Sequence, residues 1–238
     1  MQIKQLLILS VTSLIITTAS FAAAVSGETT SVDAMRQIKI DHPNLMTVNR
    51  SGKVHKILDK ELATGNTPIA TAENFIKDFS TALDVDAKEF VERGPFPDKH
   101  VEQQLMYIPE TGEHKFTGVY YMQTADGLPV YGSRLMVLVR NIKDYPAVSA
   151  TTDLRDVKGY KAPKQLVASE AVALMAAATH LGRGATVTQP ELMVFAGTDK
   201  EHSEPAAALV FEATVGGHWD FDNYKKFELV VDAQTGEI

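Results

Sequence analysis

The stretch QTADGLPVYGSRLMVLV, residues 123–139, decides how this chain folds. Two β-rich runs, residues 119–122 and 130–139, flank a Thr124-Ala125-Asp126-Gly127 turn, so the stretch reads as a hairpin whose second arm is long and apolar. Gly127 accepts positive φ without a Cβ penalty, and Pro129, which has no ladder donor, suits the start of the second arm. No side chain in the stretch carries catalytic chemistry.

Working outward, residues 104–108 and 115–123 read as strands joined by the Pro109-Glu110-Thr111-Gly112 turn, and with residues 130–139 they make a meander. Strand alternation puts Val119 and Tyr121 on one face and Tyr120 and Met122 on the other. Residues 71–83 supply a helix to cover one face. Phe75, Ile76, Phe79, Ala82 and Leu83 recur there at helical spacing behind a Thr71 cap, with Glu73 in the first turn. The Phe75/Phe79 pair belongs to the core, not to a ligand site. A last strand is expected near residues 148–151. Residues 25–66 are polar and weakly periodic and read as a lead-in, with a short strand or turn at residues 54–58.

Residues 159–163 are rich in turn formers and mark a boundary, beyond which a second α+β pattern begins. Ser169 caps a helix running to about Leu181, with Glu170 in its first turn, Gly182 just past its end, and Ala171, Leu174, Met175 and Ala178 as the expected buried stripe. Strand candidates follow at residues 191–196, 207–215 and 227–231. The expected fold class is α+β: two small lobes, each an antiparallel sheet packed against a helix, behind a cleaved signal peptide.

That leader is residues 1–24: Lys4, an apolar run at residues 6–16, then small residues at Ser20, Ala22 and Ala24. The apolar run falls short of the ~20 residues a spanning helix needs, so no stable membrane anchor is expected, and the chain is placed as secreted or periplasmic. A net charge of -7 argues against nucleic acid as a partner. The chain has no cysteine, which excludes disulfides, thiol catalysis and a Cys-ligated zinc site.

None of the histidines (His42, His55, His100, His114, His180, His202 and His218) sits in a His-Glu-x-x-His arrangement, the spacing that turns two imidazoles toward one zinc. His180 has Ala176 and Gly184 at i±4 and reads as a helix-dipole residue. There is no Gly-x-Ser-x-Gly elbow and no P-loop. Asp220, Asp222 and Asn223 fail the EF-hand pattern, because Lys225 stands where a glycine is needed and Val231 where a glutamate is. The sequence therefore offers no catalytic, cofactor-binding or metal-binding residue. Trp219, the single tryptophan, follows Gly216-Gly217-His218 and is either tucked against the second lobe or an exposed anchor for a partner.

Residue by residue, the opening stretch resembles the Gln-x-x-x-Gly-x-Pro-Val-[Tyr/Phe]-Gly motif of the fungalysin/thermolysin propeptide (FTP) domain, matched by Gln123, Gly127, Pro129, Val130, Tyr131 and Gly132. The second half resembles a PepSY domain through its Ser169-Glu170-Ala171 helix start, residues 209–215 and the ending at residues 230–237, where Asp232, Thr235 and Gly236 match. Residues 141–146 depart from the first pattern, and residues 216–224 look like an insertion in the second. The resemblance implies an FTP-like domain at residues 67–157 and a PepSY-like domain at residues 158–238. It further implies the non-catalytic propeptide of a secreted thermolysin- or fungalysin-type zinc metalloprotease, acting as intramolecular chaperone and inhibitor. The implied partner is the protease catalytic domain, and zinc is implied only there; the alternative is a freestanding inhibitor or binding module acting in trans. Residues 232–237 read as a hairpin turn whose second arm is expected to continue past Ile238.

Overall fold

A computed structural model describes residues 30–95, 100–166, 169–182, 184–198, 201–216 and 223–238; the expected leader and Trp219 lie outside the described residues. The fold is α+β, with three α-helices and two antiparallel sheets among the described residues.

Residues 30–66, read from the sequence as a polar lead-in, are instead built into the first sheet. Thr30 caps α1 (Ser31–Asp41), its hydroxyl accepting from Asp33 N, and β1 (Met46–Arg50) pairs with β2 (Lys53–Leu58). Ile38, Ile57 and Leu62 reach the core from this segment. Ile57 belongs to the short strand expected at residues 54–58, whereas Ile38 and Leu62 lie outside it, in stretches with no clear apolar periodicity.

The second helix, α2 (Pro68–Phe79), starts earlier than its sequence reading. Thr67 is the cap, its Oγ1 accepting from Ala70 N at 3.1 Å, and Pro68 takes the first turn, where its missing N–H costs nothing. Thr71 is buried instead, and its hydroxyl donates to Tyr145 O at 2.8 Å, tying the 141–146 loop to the helix. Gly65 lies so close to α2 that a Cβ on it would stand 2.6 Å from Thr71 N. Phe75 and Phe79 stack at 4.4 Å and pack with Val119, Tyr121, Leu135 and Val137.

After a 3-10 turn at Ala87–Glu89 come β3 (Phe90–Glu92), β4 (Glu102–Ile108), β5 (Glu113–Ala125), β6 (Leu128–Pro129), β7 (Arg134–Arg140) and β8 (Ala147–Asp153). The order is β1-β2-β8-β7-β5-β3, with β4 and β6 also paired to β5. Alternation along β5 turns Val119 and Tyr121 toward α2, as the sequence implied. The long second hairpin arm, expected as one strand, is broken between β6 and β7.

The second sheet follows α3 (Glu170–Leu181), which Ser169 caps by accepting from Val172 N. β9 (Thr186–Val187), β10 (Glu191–Gly197), β11 (His202–Val215) and β12 (Lys225–Asp232) pair in the order β10-β11-β12, with β9 against β11. The buried stripe of α3 is not the expected one. Ala173, Ala176 and Ala177 pack on Leu209, Phe211, Ala213, Leu229 and Val231, whereas Leu174 and Met175 are 43% and 70% exposed. The helix is apolar nearly all round, so the pattern carries no phase; the alanine face wins because small side chains let the helix settle closely on the sheet.

That packing is testable by chemical denaturation. Ala177→Leu is expected to cost about 1–3 kcal/mol by overpacking, while Met175→Gln changes stability by no more than about 0.5 kcal/mol. The opposite ranking would restore the stripe read from the sequence.

Candidate functional site

The matched residues of the 123–132 stretch meet at the junction between the two sheets, Gln123 and Val130 buried in it and Gly127 and Gly132 exposed. The junction begins at the turn. Asp126 and Gly127 have φ of 48° and 83°, the two positive values of a type I′ turn, between the paired residues Ala125 and Leu128. A Cβ on Gly127 would meet nothing within 4 Å, so its requirement there is one of backbone conformation alone. The Asp126 carboxylate accepts from Ala162 N at 2.9 Å, which anchors the 159–163 segment to the turn and holds the carboxyl below its ordinary pKa range; Lys161 adds to the same effect.

Beyond Pro129 the chain leaves the ladder. Val130 N still donates to Gln123 O at 2.8 Å, but Ser133 folds back: its hydroxyl donates to Val130 O at 2.8 Å and accepts from Gln123 N at 3.0 Å. Gly132 bends the backbone at a φ of 66°, and a Cβ there would stand 3.0 Å from the Arg155 guanidinium. This bend is what divides β6 from β7.

Gln123 is fully enclosed, and its side-chain amide acts as an extra rung. Oε1 accepts from Arg155 N at 3.0 Å and Nε2 donates to Arg155 O at 3.3 Å, so the amide pairs with the backbone after β8 as a strand residue would. Arg155 in turn directs Nη2 at Gly132 O, 3.4 Å away.

The bend hands Val130 and Tyr131 to the second sheet. Val130 makes a parallel bridge with Val194 of β10, Tyr131 N donates to Val194 O at 2.9 Å, and Val130 is buried with Ala125, Val157, Val194 and Ala196. The Tyr131 hydroxyl donates to Glu228 on β12 at 2.6 Å, and its ring tilts against Phe195 at 5.7 Å. Arg93, just after β3, makes a two-pronged bond to Glu191 of β10 at 2.5 and 2.6 Å, which raises its already high pKa. An open groove of about 1020 Å³ runs beside these contacts, with Arg93, Tyr131, Met193 and Glu228 in its walls.

The second matched set forms a separate turn. Asp232 Oδ1 accepts from Thr235 N at 2.7 Å and Gln234 N at 2.8 Å, which depresses its pKa, and Gly236 N donates to Asp232 O at 2.9 Å. Gly236 has a φ of 79°, and a Cβ on it would stand 3.4 Å from the Val172 side chain of α3. Trp219 lies outside the described residues. Arg155, Ser133, Val194 and the Arg93–Glu191 pair were missed in the sequence. Ser133 directly follows the motif, but Arg155 lies 32 residues beyond Gln123 and carries no local signal.

The histidines are dispersed: His42 faces Asp59 at 3.2 Å, His55 faces Asp153 at 3.2 Å, and His180 is exposed at the end of α3. Among the described residues no three His, Asp or Glu side chains converge as a metal site would require. No family model matches the chain, and a search of curated proteins likewise finds no match.

Two predictions follow from this geometry. Replacing Gln123 with Leu strands the N–H and C=O of Arg155, at about 1–3 kcal/mol for each group, whereas at Gly127 Asn is expected to be mild and Val to cost about 1–3 kcal/mol. Urea unfolding of the variants measures both; a stable Gln123→Leu protein would remove the amide from its structural role.

The carboxylates give a pH dependence. Asp126 and Asp232 have depressed pKa values in the folded chain, so each adds stability that is complete above its unfolded value and lost as pH falls through the folded one. Melting temperatures taken downward from neutral pH should begin to drop near about pH 4, and Asp232→Asn, which keeps the acceptor oxygen but cannot titrate, should flatten part of that fall. An unchanged acid limb in the variant would show that Asp232 is not linked to folding.

Proposed function

We propose that this chain is a non-catalytic propeptide-like region of a secreted thermolysin- or fungalysin-type zinc metalloprotease, a chaperone and inhibitor of the catalytic domain. In this reading residues 1–24 are the signal peptide, residues 67–157 an FTP-like lobe and residues 158–238 a PepSY-like lobe. The observation that carries it is the Gln-x-x-x-Gly-x-Pro-Val-Tyr-Gly match at residues 123–132. Its residues have distinct mechanical tasks at one junction: Gln123 pairs with Arg155, Gly127 turns the chain, Gly132 bends it, and Val130 and Tyr131 bridge to β10. A motif kept for such tasks marks a fold, and the fold is what the resemblance concerns.

The physical basis of the activity is mass action. A module that binds the native or near-native protease and not its unfolded chain stabilises it, and covalent linkage supplies a high effective concentration that vanishes on cleavage and dissociation. No nucleophile or metal is needed on the module itself.

The test is to add the purified chain to a denatured thermolysin-like protease on dilution, and separately to the folded enzyme. A rise in recovered activity in the first assay and a saturable loss of activity in the second are expected. Inhibition without improved refolding would favour a freestanding inhibitor acting in trans. No effect in either assay, with several such proteases, would overturn the reading.

A further inference from the structure

The cleft of about 810 Å³ between α1, the β1–β2 turn, the 82–85 turn and the 154–161 segment is separate from the groove beside the junction. Its volume falls in the range of small-molecule sites, roughly 300–1,000 Å³. Met35, Val54, Leu83, Val85, Ala125 and Leu154 give it an apolar wall.

Its charge runs against that of the chain. Arg36, Lys39, Lys53, Arg155, Lys158 and Lys161 line it, against the four acids Asp84, Glu89, Asp126 and Asp156, in a protein of net charge -7. Several of these cations are already matched: Lys158 to Asp84 at 2.6 Å, Lys161 to Asp126 at 3.5 Å and Arg36 to Asp33 at 2.7 Å. Lys53 is different. It is half-buried, its electrostatic neighbours are cleft residues, led by Asp156 and Asp84, and it has no ion pair within 4.0 Å among the described residues.

We propose that this cleft binds a small molecule made of an apolar body and one carboxylate, with the Lys53 ammonium as the counter-charge and the apolar wall enclosing the body. Burial lowers the pKa of Lys53, so an arriving carboxylate restores the stabilisation that desolvation removes. The Tyr160 hydroxyl, also on the lining, is shut off from solvent and has no hydrogen-bond partner among the described residues. Burial raises its pKa and keeps it protonated, a neutral part of the cleft wall. A bare inorganic anion would leave the apolar wall wet, and an uncharged chain would leave Lys53 with only the Asp156 and Asp84 carboxylates, beyond ion-pair distance, to offset its charge. The site needs both features in one molecule, and it stands independently of the propeptide reading.

Decanoate below its micelle concentration is the probe, with decanol and inorganic phosphate as comparators, titrated calorimetrically into the full chain. Saturable one-to-one binding of decanoate is expected, about tenfold tighter than either comparator, the size of one partly buried ion pair. Lys53→Met should lose that tenfold for decanoate and leave decanol unchanged, while Lys39→Met, at the rim, keeps it. Equal binding of decanoate and decanol, unsaturable binding, or a Lys53→Met protein that binds decanoate like the wild type would each overturn the proposal. The comparison of probes on the wild type decides even if Lys53→Met fails to fold.

Discussion

The pairing of the Gln123 side-chain amide with the backbone of Arg155 is the contact on which the rest of the arrangement depends. A buried amide with both ends satisfied contributes only about 1 kcal/mol net per bond, yet leaving its partners unpaired costs more than making the bonds gains. The asymmetry fixes geometry. With Gln123 committed to Arg155, the segment after β8 lies along the end of β5, and its guanidinium lies over Gly132, where the chain bends. With no cysteine to staple any of this, polar satisfaction and packing must do it alone.

The type I′ turn at Asp126 and Gly127 sets the pairing at the other end of the same structure. It fixes Thr124 opposite Pro129 and Ala125 opposite Leu128, and the Gly132 bend then lets β7 resume against β5 with Tyr121 opposite Leu135. That register decides which residues α2 covers, since a slip of one residue would turn Val119 and Tyr121 away from Phe75 and Phe79. The residues between β6 and β7 serve the second sheet. Val130 keeps its N–H bond to Gln123 O, and beyond it Val130 and Tyr131 pair with Val194 rather than with β5. One short stretch thus supplies a turn, a break and a bridge.

The legible parts of the fold were those in which local chemistry and burial agree. The meander, the Phe75/Phe79 face of α2, the Ser169 cap and the three main strands of the second sheet all carry periodic or capping signals that the packing then uses. Three features were illegible for separate reasons. Thr67 and Thr71 are both plausible caps, and the choice turns on Pro68 and on a hydroxyl bond to Tyr145, 74 residues away. The phase of α3 was hidden because alanine, leucine and methionine occupy every side of it. Of the first hairpin, β2 answers to the short strand or turn read at residues 54–58, but its partner β1 was hidden because none of its residues is buried, so alternation never develops. At the junction the motif was visible, but Arg155, its principal partner, was not, because a bond between a side chain and a distant backbone leaves no pattern in the sequence.

Gln123 and Arg155 also line the cleft that holds Lys53, and Arg155 reaches the groove on the far side as well. The junction therefore contributes polar side chains to both concave surfaces, beside the buried Val130–Val194 cluster. Its bonds have little redundancy, and a molecule filling the cleft would press on the junction from one side. A ligand that binds the folded chain and not the unfolded one stabilises it by RT ln(1 + [L]/Kd), whatever its chemistry. Here that stabilisation would act where the two sheets are joined. The relative placement of the sheets, and with it the shape of the groove, would then be stiffened by occupancy of the cleft through Arg155, which lines both.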